Sequence, residues 1–217
     1  MKHQTKPAQQ ALFINSVKRI QGKAELALSD GSIVVMPRAM LNERPYRSGM
    51  PFDPEVHQSF IHSRAYAFAL NKAVSLLSLR ARTEREIVDT LEQASYSDEV
   101  IARVMARLQE ANYINDSDFA EQWAATRTTK GLGKIRIKME LRHKGINSDT
   151  IEHALSSIDD TAMFDSAVKA ARKAAHGKDL TAPADRQKLI AALARRGFDY
   201  PLAKQAMQHI IDEEAFY

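Results

Sequence analysis

The stretch ELRHKGINSDTIEHAL, residues 140–155, closes one helical pattern at Gly145 and opens another after Asn147. ALARRGFDYPLAKQAM, residues 192–207, repeats the phrase in other letters. Aligned on the helix stop, Leu91, Leu141 and Leu193 stand four residues before Ser95, Gly145 and Gly197. An apolar residue follows each stop (Tyr96, Ile146, Phe198), and the next helix then presents Ile101 and Met105, Ile151 and Leu155, or Ala203 and Met207. Glycine ends a helix without strain because it adopts left-handed backbone angles freely, so Ser95 marks the weak copy. The spacing of about 50 residues belongs to tandem units that cannot bury an apolar face alone and must stack.

Outward from these phrases the chain changes character. In INSVKRIQGKAELALSDGSIVVMP, residues 14–37, short β-branched runs are split by Gln21-Gly22 and by Asp30-Gly31. Asp-Gly suits a tight hairpin turn, so a small antiparallel β element is expected over residues 13–36. RPYRSGMPFDPE, residues 44–55, places Pro45, Pro51 and Pro54 around Gly49 and reads as a linker. From Arg64 the apolar spacing becomes helical, with Tyr66, Ala69, Leu70, Ala73, Leu76 and Leu77 on one face. Thr83-Glu84-Arg85-Glu86 has capping-box form, a third helix follows from about Ser97, and Asn115-Asp116 caps a helix carrying Phe119, Ala120, Trp123 and Ala124. The expected fold is mainly α: three tandem three-helix, helix-turn-helix-like repeats stacked into an elongated curved array, preceded by a small β-hairpin element. The expected boundaries are 1–62 for the β element and linker, then repeats at 63–112, 113–158 and 159–217.

Composition narrows the function classes. Of 217 residues 44% are apolar and 27% charged, the mix of a globular chain. No cysteine is present, which excludes a disulfide framework or a thiolate metal site. The start, MKHQTKPAQQ, lacks the apolar core of a secretory leader, and a cytoplasmic, membrane-free protein is expected. The net charge of +4 permits nucleic-acid or acidic protein partners without requiring either.

A search for reactive constellations returns none, so neither catalysis, cofactor nor metal is expected. No histidine pair has the i, i+4 spacing of a helix-borne metal site, and His57 and His62 read as exposed or linker residues. Asp159-Asp160 fits a helix N-terminus. Gly131-Leu132-Gly133 lacks the third glycine and the Lys-Ser/Thr pair of a phosphate loop and reads as a turn between helices. One cluster stands out: Arg127, Lys130, Lys134, Arg136, Lys138, Arg142 and Lys144 face the single acid Glu140. At helical spacing Lys134, Lys138 and Arg142 form one stripe with no acid among them, while Arg136 and Glu140 can pair. Ile135 and Met139 lie to one side and Ile137 and Leu141 nearly opposite, the pattern of a helix packed on two sides. Phe119 and Trp123 are expected in the core because they share a face with Ala120 and Ala124.

YINDSDFAEQW, residues 113–123, resembles a signature of the RecX family through Ile114, Asp116, Phe119 and Ala120. The likeness continues through Arg127, Gly131, Gly133, Arg136, Ile137, Glu140, Leu141, Lys144, Gly145 and Ile146, and in the first repeat through Leu79, Arg82, Thr83, Glu86 and Leu91. Ser95 departs from the family's usual glycine. The resemblance implies an all-helical, three-repeat, non-catalytic protein that binds RecA, lies along its nucleoprotein filament, and restrains strand exchange and RecA-promoted proteolysis. The expected partners are RecA and the RecA–DNA filament, with weak direct DNA contact, and the chain is expected to be monomeric. The seven cations would carry that binding. The alternative is a direct DNA binder of helix-turn-helix type. Against it, the helices after the turns carry Ser148, Asp149, Glu152 and His153, or Leu202, Lys204 and Gln205, without a consistent base-reading face.

Overall fold

A computed structural model of the chain describes residues 11–215; the first ten, where the absence of a leader is expected, lie outside the described residues. The chain divides into two compact units, residues up to 82 with 86–114, and residues 83–85 with 115–217.

In the first unit, strands β1 (Leu12–Arg19), β2 (Lys23–Leu28), β3 (Ile33–Pro37) and β4 (Pro51–Phe52) form an antiparallel sheet in the order β3-β2-β1-β4. Alternation decides its face: in KAELAL, Ala24, Leu26 and Leu28 are buried between half-exposed neighbours. The expected β element is therefore present and larger than a hairpin. The proline-rich stretch read as a linker supplies the remaining strand, and Pro51 is tolerated because β4 is an edge strand. It also starts helix α1 (Pro54–Leu77), where Asp53 accepts the amides of Glu55 and Val56 and Pro54 occupies the first turn, which needs no amide donor.

That early helix start buries His57, contrary to the expectation of an exposed residue. Its Nδ1 lies 2.8 Å from the Tyr46 hydroxyl and its ring packs 5.2 Å from Phe52. Burial first, and the Arg44 charge second, hold its pKa below the ordinary 6.5. The unfolded chain then binds a proton that the folded unit refuses. Stability is expected to be level above pH 6.5 and to fall as pH drops through 6.5 toward the depressed folded value. Thermal midpoints measured across that range should show this fall, and His57→Phe should flatten it.

Helices α2 (Glu84–Gln93) and α3 (Asp98–Glu110) complete the first repeat. Its core joins Ala65, Ala69 and Ala73 of α1 to Ile87, Leu91, Ile101 and Val104. The alanines permit close helix approach, and Ile61 and Phe68 of α1 touch both this core and the sheet. The second unit holds α4 (Asp116–Thr129), α5 (Lys134–His143) and α6 (Ser148–Ser156), then α7 (Asp160–Ala175), α8 (Pro183–Arg195) and α9 (Tyr200–Ala215). Asn115 caps α4 by accepting the amides of Ser117 and Asp118, and Asp159 caps α7, as their positions suggest. Among the described residues no helix is long and apolar enough to cross a membrane.

The three aligned stops share one geometry. Leu91, Leu141 and Leu193 are fully buried, and their carbonyls accept the amides of Tyr96, Ile146 and Phe198 at 3.1–3.2 Å. The intervening residues have positive φ: 63° at Ser95, 83° at Gly145 and 87° at Gly197. This is the Schellman closure, common to all three aligned stops. Serine pays a Cβ penalty there, so Ser95→Gly is expected to stabilise the first unit by about 1 kcal/mol, read as a higher urea midpoint at unchanged slope.

Within the second unit the stops also receive the preceding repeat. The amides of Gly133 and Ile135, at the start of α5, donate to the carbonyls of Arg196 and Gly197 at 3.0 and 3.1 Å. The orphan donors of one helix start thus satisfy the orphan acceptors of another helix end, with opposed partial charges facing. Arg196 Nη1 returns a bond to the Gly131 carbonyl at 3.3 Å. In the same unit the Thr83 side-chain hydroxyl donates to the Lys144 carbonyl at 2.8 Å. Gly131-Leu132-Gly133 is therefore a turn, as expected, and a backbone docking element as well.

Candidate interaction face of the second repeat

Helix α5 buries Ile137 and Leu141 completely, while Ile135 and Met139 remain 52% and 57% exposed. The expectation that both apolar sides are packed is corrected: within this unit one side is covered and the other is surface. The exposed pair lies beside Lys134, Lys138 and Arg142 on the helix wheel, so a short apolar strip runs along the basic stripe.

The stripe has acidic neighbours, which corrects the picture of uncompensated cations. Lys134 Nζ stands 3.5 Å from Asp160 at the start of α7, and Lys138 pairs with Glu152 of α6. The Lys138 hydrogen bond and charge, with Arg142 adding to them, lower the pKa of Glu152. Both pairs are solvent-exposed, a setting in which ion pairs contribute about 0–1 kcal/mol and exchange readily for another anion. Lys130 is exposed just beyond α4, apart from the stripe.

The other cations gather around Trp123. Its indole Nε1 donates to Glu140 Oε2 at 3.1 Å, and its ring stacks on Phe119 at 5.6 Å with an interplanar angle of 17°. Arg127 lies 4.1 Å over that ring and Lys144 Nζ 4.5 Å from its centre. Glu140 collects the charges: Arg127 Nε is 2.7 Å from Oε2, an ionic contact without hydrogen-bond alignment, and Arg136 Nε is 3.5 Å from Oε1. The Arg136–Glu140 pairing is the expected one. Phe119 is buried as expected, but Trp123 is half-buried and holds a polar network at the surface. Only the i, i+4 part of that network, Arg136 with Glu140, has a local sequence signal. The reach of α4 to Glu140 has none.

After the α5 turn, helix α6 exposes Asp149, Glu152 and His153, and Glu152 is already engaged by Lys138. Acidic residues on that face oppose approach to DNA phosphates. Among the described residues no cluster of three or more His, Cys, Asp or Glu has the arrangement of a metal site.

Comparison with known proteins places these repeats. The chain matches the models of the first RecX three-helix domain over residues 69–108, the second over 115–155 and the third over 160–207. It is 34% identical over 171 residues to "Regulatory protein RecX" of Mycolicibacterium smegmatis, covering 76% of this chain and 91% of that protein. Against the protein of the same description from Leuconostoc mesenteroides it is 28% identical over 200 residues, covering 91% of this chain and 75% of the relative. A solved structure described as regulatory protein RecX superposes with a TM-score of 0.61 at 21% identity, covering 91% of this chain and 99% of its own, which speaks for the fold. Three family domains matched in order, on repeats closed by one shared helix-stop geometry, mean that this chain belongs to the RecX family of regulatory proteins.

Proposed function

We propose that this chain is a non-catalytic regulator of the RecA recombinase that binds RecA and its nucleoprotein filament. In this reading it restrains recombinase and coprotease activity during DNA repair, recombination and the SOS response, in the cytoplasm and as a monomer. The observation that carries the proposal is membership of the RecX family across all three repeats. The binding residues are assigned to the second repeat: Arg127, Lys130, Lys134, Arg136, Lys138, Arg142 and Lys144. The exposed Ile135 and Met139 support that assignment, because an apolar strip bordered by cations suits a protein surface carrying carboxylates better than it suits water. Weakly held surface pairs such as Lys134–Asp160 lose little when a partner's acid replaces the internal one.

The test is co-sedimentation of the full chain with RecA, with and without single-stranded DNA and a slowly hydrolysed ATP analogue, near physiological salt. Binding that appears or strengthens with assembled filament is the expected result. Absence of binding in both states would overturn it.

A further inference from the structure

A second concentration of positive charge lies away from the Lys134–Lys138–Arg142 stripe. Helices α5, α7 and α8 meet around an open cavity of about 550 Å³ whose charged lining is Arg136, Lys173, Arg195 and Arg196. Leu132 and Ala174 supply apolar wall, and no carboxylate among the described residues lines it. Lys173 and Arg195 are exposed and make no ion pair among the described residues. Arg196 is held from two directions, by the bond of Nη1 to the Gly131 carbonyl and by its own carbonyl accepting the Gly133 amide, so its guanidinium is positioned before any ligand arrives. Arg136 is steered from its other side by Glu140.

Converging cations on three helices repel one another, and the backbone docking that joins α5 to the α8 stop fixes two of them at the rim. A single carboxylate would leave most of that charge unmatched. A phosphate offers several acceptor oxygens to guanidinium forks, the geometry in which arginine binds best. We propose that this cavity is a phosphate-binding site, taking either a backbone phosphate of a nucleic-acid strand or a free phosphate. It lies apart from the Lys134–Lys138–Arg142 stripe, shares Arg136 with the cations assigned to RecA binding, and its phosphate binding needs no RecA.

The experiment compares the full chain with its Lys173→Gln/Arg195→Gln variant, two exposed positions whose change leaves the core intact. A labelled oligothymidylate is titrated by anisotropy at several salt concentrations, and inorganic phosphate is titrated at constant ionic strength while the amide signals of Gly131, Gly133 and Gly197 are followed by NMR. With two cations neutralised, strand affinity should fall and the slope of log K against log salt should shrink by about 0.7, for the one phosphate no longer matched. Strand binding that depends on the pair identifies the backbone as the source. Phosphate-induced shifts that depend on the pair, with strand binding unchanged, identify a free phosphate. If neither probe distinguishes variant from wild type, the site is overturned.

Discussion

Gly133→Ala is expected to destabilise the second unit by about 3 kcal/mol, an effect at the upper end for an added methyl group. The residue has φ −85°, which any amino acid adopts, so no conformational penalty enters. The cost is steric: a Cβ at Gly133 would overlap the carbonyl of Gly197 and the amide of Phe198, backbone atoms that cannot rotate away. Relief requires the α5 start to lift off the α8 stop, which breaks the Gly133–Arg196 and Ile135–Gly197 hydrogen bonds together. Gly177→Ala is the control. Gly177 has φ 72° with open space around its missing Cβ, so only the backbone penalty of about 1 kcal/mol applies. Denaturant unfolding of both variants should rank them in that order; equal losses would mean that the docking of the two stops contributes nothing.

Glu140→Ala is expected to cost about 2 kcal/mol and to loosen Trp123. The substitution strips the indole N–H of its acceptor and leaves Arg127 and Arg136 without their shared carboxylate. Removing one partner of a fully buried pair costs about 3–5 kcal/mol. The Glu140 and Arg127 side chains here retain 21% and 25% exposure, so water recovers part of that loss. Trp123 is the chain's single tryptophan, which makes its fluorescence a local reporter. A red-shifted emission together with a lowered midpoint is expected, whereas Glu140→Gln, which keeps an acceptor for the indole, should retain most of the native emission.

What the sequence made legible was local chemistry. A glycine or serine four residues after a buried leucine, followed by an apolar residue, encodes the helix stop, and all three stops close as that pattern requires. Caps at Asn115 and Asp159 are local in the same sense. The misjudged features depend on distant residues. Proline at 51 and 54 reads as a break, yet an edge strand and the first helical turn both tolerate it, and that tolerance carries His57 into the interior. The basic stripe looks uncompensated along its own helix because Asp160 and Glu152 belong to other helices. Trp123 shares a face with core alanines, and only the tertiary approach of Glu140 explains why its edge stays polar.

The decisive experiment is inhibition of RecA-promoted strand exchange by the wild-type chain and by Lys134→Gln/Lys138→Gln/Arg142→Gln. The three changes remove weak, exposed pairs and leave the buried Ile137 and Leu141 untouched, so helical content should stay unchanged. Potent inhibition by the wild type is expected, with a loss of about tenfold in potency for the variant, about 1.4 kcal/mol shared among three charges. Equal inhibition by both proteins would contradict the assignment of RecA binding to this face, and absence of inhibition by the wild type would contradict the proposed function itself.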